Sequence, residues 1–366
     1  MWLISLFFCF WLIWFVPRQV YRRSLSKGVH VTTEFTDSDI FEGENTSITE
    51  TVTNEKKLPV PALAVRLGMD KALHFRKGAI ENSSVSDQTY RKDIFSLGSR
   101  QRIIRTLPLV AKQRGHYTIR QVDLTTYDHF FRRGDFIHCD QDTEIYVYPA
   151  PVDAGRITLI SSAITGELLS QSRLYPDPFA FAGIRDYRPE DSMRAINWKA
   201  SARSGSLMVN EFDSTTRYEV TILLDLEDRF SLRQDRLLEE CLRIATSLAA
   251  SLLTQGMPVR ILYGKREDSY QHSNELTGLY RTMACLDYNP EGPTVAERLL
   301  AETASLENAS NRLYVLISKN QQEELADSAK QLKRLSPSLL WVMPVYETAM
   351  DERYQDSNLS ILYWEV

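Results

Sequence analysis

The sequence predicts a multi-domain chain with an N-terminal membrane helix, a β-sandwich, and a C-terminal three-layer α/β domain built on a mostly parallel sheet. Three observations predict it. Met1 to Val16 carry no charge, and Arg18, Arg22, Arg23 and Lys27 follow at once. From Val29 to Pro149, short β-rich runs are separated by Gly, Asn, Asp and Pro. After Glu219, continuous apolar runs alternate with segments whose apolar residues recur at helical spacing. A length of 366 residues exceeds the ~100–200 of a usual domain, so several domains are expected.

Residues 1–23 read as a membrane anchor with a basic flank. A secretory signal places its charges before the apolar run and a small-residue cleavage site after it, and this stretch does neither. The run is short against the ~17–25 residues that span a bilayer, but Tyr21 and snorkelling arginines extend it into the interface. Positive charge after a span marks the cytoplasmic side, so the expectation is a single-pass protein of the cell membrane, with its bulk in the cytoplasm. Cys9, Cys139, Cys241 and Cys285 form no C-x-x-C pair, which indicates neither a disulfide framework nor a zinc knuckle. A net charge of −5 with scattered Lys and Arg argues against nucleic acid as a partner.

Residues 28–150 form the expected sandwich, of the immunoglobulin-like kind. The runs "VHVTTEFT", "TSITETVTN", "ALAVRLGM", "RIIRTLPLV", "YTIRQVDLTTYD" and "TEIYVYPA" alternate apolar with polar residues, the period of half-buried strands. Residues 217–366 form the expected α/β domain. "EVTILLDLED", "PVRILYG", "RLYVLIS", "LLWVMPVY" and "LSILYWEV" are apolar at nearly every position, as in strands covered by helices on both faces. "RLLEECLRIATSLAASLLTQG", "TVAERLLAETASL" and "NQQEELADSAKQLKRL" are the helices between them. No G-x-x-x-x-G-K-[ST] loop occurs, so the chain is not a P-loop ATPase.

Between the domains, residues 151–216 form a connector holding "YPDPFAFAGIRDYRPEDSMRAINWKASARSGSLMVNEFD". Asp191 or Ser192 is expected to cap a short helix through Arg203, ended by Gly205. Ala195, Trp198 and Ala202 would share one packed face of it, so truncating Trp198 would cost ~3–5 kcal/mol. Arg185, Arg188, Arg194 and Arg203 lie near Asp186, Glu190, Asp191, Glu211 and Asp213, a composition suited to an ion-pair latch. The stretch has neither His nor Cys, and Ser201 has no neighbouring base, which argues against catalysis. A phosphate or acidic-peptide site on Arg185, Arg188, Arg194 and Lys199 needs charge but no proton transfer and stays open.

This stretch resembles the signature of the bacterial domain of unknown function 58 family, G-x-R-x-Y-x-x-G-D-x-x-R-x-I-H-W-x-x-S-A-R. Gly183, Arg185, Tyr187, Asp191, Arg194, Ile196, Trp198, Ser201, Ala202 and Arg203 match it. The likeness extends upstream through "KQRGHYTIRQVDLTTYDHFF" and "VYPAP". Glu190 replaces the usual Gly, and Asn197 the usual His; Asn cannot shuttle a proton but keeps a hydrogen bond, which favours a latch or binding role for Gly183, Arg185, Tyr187, Arg188, Asp191, Arg194, Asn197, Trp198, Lys199, Ser201 and Arg203. Family members typically carry two membrane helices where one is visible here.

For the C-terminal part the resemblance implies a von Willebrand factor A-like fold, which often holds Mg²⁺ in a D-x-S-x-S loop with a Thr and an Asp from later loops. In "LLDLEDRFS", Asp225 matches the first acid, but Glu227 and Arg229 replace the serines. Asp225, Glu227 and Asp228 are therefore a degenerate candidate metal site, and no cofactor is expected. The resemblance also implies a setting beside MoxR-type AAA+ ATPases and other envelope-associated proteins. The expected function is a membrane-anchored, non-enzymatic scaffold or adaptor in envelope or complex-assembly processes. A metal-dependent hydrolase using Asp225, Glu227 and Asp228, and an anion-sensing module, are the alternatives.

Overall fold

A computed structural model describes residues 28–76, 83–85, 89–127, 133–174, 181–189, 191–212, 219–228, 235–305, 312–335, 339–346 and 358–366. It divides into two units: residues 1–150 with Tyr280–Leu286, and residues 151–279 with 287–366.

The first unit is built from ten strands: β1 (Val29–Phe35), β2 (Asp39–Phe41), β3 (Asn45–Asn54), β4 (Val60–Met69), β5 (Leu73–Phe75), β6 (Ser83–Val85), β7 (Thr89–Leu97), β8 (Arg102–Ala111), β9 (Gly115–Tyr127) and β10 (Arg133–Tyr148). They form a four-stranded sheet of order β1-β3-β8-β5 and a six-stranded sheet of order β2-β10-β9-β4-β7-β6. Burial alternates residue by residue along β1, β3 and β7, as the pleat requires of strands with one face inward. Ile48, Val52, Leu107 and Leu109 of one sheet join Leu63, Leu67, Val122, Leu124, Ile145 and Val147 of the other in a single core. One charged group breaks the inward row of β3: Glu50 stands in phase with Ile48 and Val52 and is buried with them.

The second unit opens with helix α1 (Ala154–Leu174). Strands β11 (Phe181–Asp186) and β12 (Met208–Phe212) then pair as an antiparallel ribbon, with a single 3₁₀ turn (Met193–Ala195) and helix α2 (Trp198–Ser204) between them. The rest comprises β13 (Glu219–Leu224), α3 (Asp235–Thr254), β14 (Val259–Tyr263), β15 (Arg266–Tyr270), α4 (Leu276–Ala284, of which Tyr280 onward is assigned to the first unit), α5 (Val295–Ser305), β16 (Arg312–Ile317), α6 (Glu323–Leu335), β17 (Leu339–Val345) and β18 (Ser360–Glu365). Six strands form one sheet of order β15-β14-β13-β16-β17-β18. The pairings β13–β14, β13–β16, β16–β17 and β17–β18 are parallel, and β14–β15 is an antiparallel edge hairpin. The hairpin turns at Gly264, where φ is +48° and a Cβ would lie 2.7 Å from the Glu291 carbonyl oxygen. Every residue of β14 is buried, as are five of six in β13 and in β16, which is why these strands read as unbroken apolar runs.

The expected fold class is corrected by these observations. Strand outweighs helix, with eighteen strands against six α-helices among the described residues. No helix among them is long and apolar enough to cross a membrane. The two of sufficient length are too polar: α1 carries Arg156, Glu167 and Arg173, and α3 carries Asp235, Arg236, Glu239, Glu240 and Arg243. The expected anchor, residues 1–23, lies outside the described residues, so the structure gives no span to the single-pass cell-membrane localisation, which is corrected with the fold class. The von Willebrand factor A-like expectation is corrected with the fold class: strands dominate the described residues, and the loop after β13 lacks the serines of that fold's metal loop.

Candidate functional site

The signature residues gather in the ribbon of β11 and β12 with its intervening turns. The expected single helix from residue 192 to Arg203 is two pieces. Ser192 caps the 3₁₀ turn, its hydroxyl accepting from the Arg194 N–H at 3.3 Å, and Ile196 returns to an extended backbone. Ile196 bridges to Val209 of β12, and both are buried, so a β contact interrupts the helix. Helix α2 then starts afresh at Asn197 and ends at Gly205, whose left-handed φ of +75° suits glycine.

Asn197 is the organising residue. Its Oδ1 accepts from the Ala200 N–H at 2.9 Å and caps α2, its Nδ2 donates to Asn210 Oδ1 at 2.7 Å, and its backbone N–H donates to the Met208 carbonyl at 2.8 Å. Ser201 Oγ donates to the Asn197 carbonyl and accepts from the Met208 N–H, each at 2.8 Å. The serine therefore spends its hydroxyl tying α2 to β12. Tyr187 joins through its backbone, its N–H donating to the Leu207 carbonyl at 2.9 Å. Gly183 sits beside a register shift in the ribbon, with open space where a Cβ would stand.

Of the expected arginine–acid pairs, the structure joins Arg185 to Asp191 in a bidentate fork of 2.7 and 2.6 Å. The Arg188 N–H also donates to Asp191, at 2.8 Å. The Arg185 hydrogen bonds, and then that of the Arg188 backbone, hold the Asp191 carboxyl down at about 2. Glu190 and Asp213 lie outside the described residues.

Trp198 overturns the expectation of a packed face. It is 64% exposed, and Ile184, Met193 and Leu207 of the same module are exposed too. The break at Ile196 explains this: Ala195 and Trp198 no longer belong to one helix, and α2 buries no residue. The module thus ties Arg185, Asp191, Asn197 and Ser201 internally and shows large apolar side chains to solvent together with Arg188, Arg194, Lys199 and Arg203.

The acidic loop after β13 is the second candidate. Asp225 is 2% exposed; its N–H donates to the Ile317 carbonyl, Oδ1 accepts from the Glu227 N–H at 3.0 Å, and Oδ2 accepts from the Ser318 hydroxyl at 2.6 Å. Asp228 receives Lys319 Nζ at 3.0 Å, and its N–H donates to Asn289 Oδ1 at 2.6 Å. Burial, followed by the charge of Asp225, pushes the Cys241 thiol well up, so that group is no nucleophile. Asp225 and Glu227 face a recess of about 10 Å³, enough for one water, shared with Asn320, Gln322 and Glu324.

These residues do not fit a divalent ion. A metal needs carboxylate oxygens turned to one point and free of a competing cation, whereas the Asp225 oxygens turn to the Glu227 N–H and the Ser318 hydroxyl and an ammonium sits on Asp228. Among the described residues no group of three or more His, Cys, Asp and Glu side chains is placed to hold a metal ion. Arg229 lies outside the described residues. The partners that decide this, Ser318, Lys319 and Asn289, escaped the sequence reading. Their signal was the polar "SKN" directly after the buried run of β16, the strand beside β13.

Comparison with known proteins bears on the second unit. Residues 183–331 match the model of the family described as "Protein of unknown function DUF58". A segment of 75 residues is 35% identical to "Uncharacterized protein YeaD" of Bacillus subtilis (strain 168), which is 20% of this chain and 17% of that protein. Among solved structures, the CARDB domain of a Pyrococcus furiosus protein is 15% identical over 32% of this chain and 94% of its own, with a TM-score of 0.20. A non-cellulosomal cohesin from Archaeoglobus fulgidus is 11% identical over 32% of this chain and 90% of its own, with a TM-score of 0.23. Likenesses this weak carry no argument about fold or partner. The family resemblance stands for residues 183–331, and none of these matches lends support to a von Willebrand factor A-like domain.

Proposed function

We propose that the chain is a protein-binding adaptor, not an enzyme, and that the signature module is its contact surface for an AAA+ ATPase of the MoxR type at the cell envelope. One observation carries this reading: Trp198, with Met193, Ile184 and Leu207, is exposed on a module in which Arg185, Asp191, Asn197 and Ser201 are bonded internally. Exposed large apolar side chains can mark interaction surfaces, and tryptophan is among the residues enriched where side chains dominate binding energy. The signature serine and asparagine serve as structural ties, so Ser201 has its hydroxyl engaged by the backbone and not by a base. The class of partner comes from the family resemblance.

The test is capture of partners by the full chain from lysate, with and without ATP and Mg²⁺, comparing wild type with Trp198→Ala. Recovery of an AAA+ ATPase is expected, reduced about tenfold or more by the substitution. The melting temperature should barely move, because exposed side chains away from special features contribute within ~0.5 kcal/mol. Undiminished capture by the variant would remove the module from the contact. Capture of no ATPase, together with turnover of a phosphate ester or peptide by the wild type, would overturn the adaptor reading itself.

A further inference from the structure

The topology of the second unit marks a place where a ligand is expected. From β13 the chain crosses to β14 on one side, and from β15 it returns to β16 on the other. Strand order therefore reverses between β13 and β16, which are parallel neighbours, and open sheets of this kind bind ligands outside the carboxyl ends of the strands at such a point. Leu224 ends β13 and Ile317 ends β16. The residues that follow them, Asp225 to Asp228 and Ser318 to Asn320, are the acidic loop and its partners.

The contents of that crevice are the chain's own. Ser318 Oγ donates to Asp225 and accepts from the Asn320 N–H at 2.9 Å, so the hydroxyl is used in both directions. The side chain of Lys319 is 4% exposed, and its ammonium reaches Asp228, which is 21% exposed. An ammonium so deeply enclosed is expensive to bury without a counter-charge. We infer that Lys319 is a tethered cation of the switch point: its ammonium supplies to this acidic loop the positive charge that a divalent ion would otherwise have to supply. The loop is then held without a divalent ion. The charged groups nearby are Asp225, Glu227 and Glu324, which line the recess, and the Lys319–Asp228 pair on the same two loops. The net charge of this set is negative even with Lys319 present, so its removal should leave a seat that attracts a cation. This inference is independent of the adaptor reading, which rests on the module of β11 and β12.

The experiment measures the melting temperature of the full chain after chelator treatment, titrated with MgCl₂, MnCl₂ or CaCl₂, for wild type, Lys319→Ala and Lys319→Ala/Asp228→Asn. The wild type should be indifferent to all three salts beyond the effect of matched ionic strength. Lys319→Ala should melt several degrees lower and recover part of that loss with divalent ions, a recovery that the added Asp228→Asn abolishes. Lys330→Ala, which breaks an exposed pair with Asp327, is the control and should show neither effect. The inference is overturned by a wild-type response to metal that Asp225→Asn removes. It is equally overturned if Lys319→Ala keeps wild-type stability, or loses stability with no metal response, since either makes the pair an ordinary salt bridge. Should Lys319→Ala fail to fold, calorimetric titration of wild type decides: no heat beyond dilution supports the tethered cation, and a saturable heat lost in Asp225→Asn refutes it.

Discussion

Glu50 in the sandwich and Asp225 beneath the loop after β13 are equally hidden, each 2% exposed, yet they live in opposite circumstances. Asp225 lies just past a strand terminus, where the Glu227 N–H and the Ser318 hydroxyl each donate to one of its oxygens. Glu50 lies mid-strand, where backbone donors are consumed by the ladder to β1 and β8, and its Oε2 has no hydrogen-bond partner. Its surroundings are Asp93 and Arg91, paired to each other in the inward row of β7, and Arg105 on β8, which bridges to Asp93 at 2.9 Å. Burial first, and then the charge of Asp93, raise the Glu50 carboxyl to about 7 against the pull of Arg105 and Arg91. The difference teaches that depth does not decide how a carboxylate is held; the supply of donors does, and strand ends supply more of them than strand middles.

The largest effect that tests this comparison is expected at Asp225. Asp225→Ala leaves the Ser318 hydroxyl and the Glu227 N–H without their acceptor, and each orphaned buried donor costs ~1–3 kcal/mol. Urea denaturation followed in the second unit should show a loss of about 2–5 kcal/mol. A loss below about 1 kcal/mol would mean that water from the adjoining recess satisfies the donors, and the contrast with Glu50 would collapse.

Glu50 should behave in the opposite sense. Its folded pKa lies above its ordinary value of 4.5, so the folded state holds the proton more tightly than the unfolded one. The resulting stabilisation is complete below pH 4.5, declines as pH rises from there to about 7, and is absent above. Glu50→Gln keeps the shape and removes the titration. It should match wild type near pH 4 and exceed it near pH 8 by ~1–3 kcal/mol, read from melting of the first unit at both values. A variant less stable than wild type at pH 8 would show that Arg105 and Arg91 need the Glu50 charge.

How much of this was legible follows from the same physics. The strands of the sandwich could be read because one buried face imposes period two on β1, β3 and β7, and the buried runs of β13, β14 and β16 because both faces are covered. Glu50 was readable in principle, as an acid in the apolar phase of "TSITETV". The signature residues were found, but not their geometry. Whether Ile196 continues a helix or joins Val209 is settled by a partner thirteen residues on, and local propensity carries no trace of that. Trp198 was misjudged for this reason, since a helical face was assigned to residues that do not share a helix. Lys319 was invisible because its role depends on Asp228, ninety-one residues away. The apolar N-terminus shows a different limit: hydropathy reads a span from composition, and residues 1–23 lie outside the described part of the chain.

The smallest effect expected is at Asn197, which is neither a deep carboxylate nor a free surface group. Asn197→Ala removes the cap of α2 and the bond to Asn210, and should cost about 1 kcal/mol, seen best as lost hydrogen-exchange protection at the Ala200 amide. Asn197→His sharpens the point, because histidine is the residue usual at this place in the family pattern. Neutral imidazole accepts on one nitrogen and donates from the other, so it can take over both the cap and the bond to Asn210. Imidazolium only donates. Protection at Ala200 should therefore persist in Asn197→His at pH 8 and fall toward the Ala level as pH drops through the ordinary histidine range near ~6.5. Protection independent of pH would mean that the imidazole does not cap, and that the asparagine here serves a geometry which the usual residue does not share.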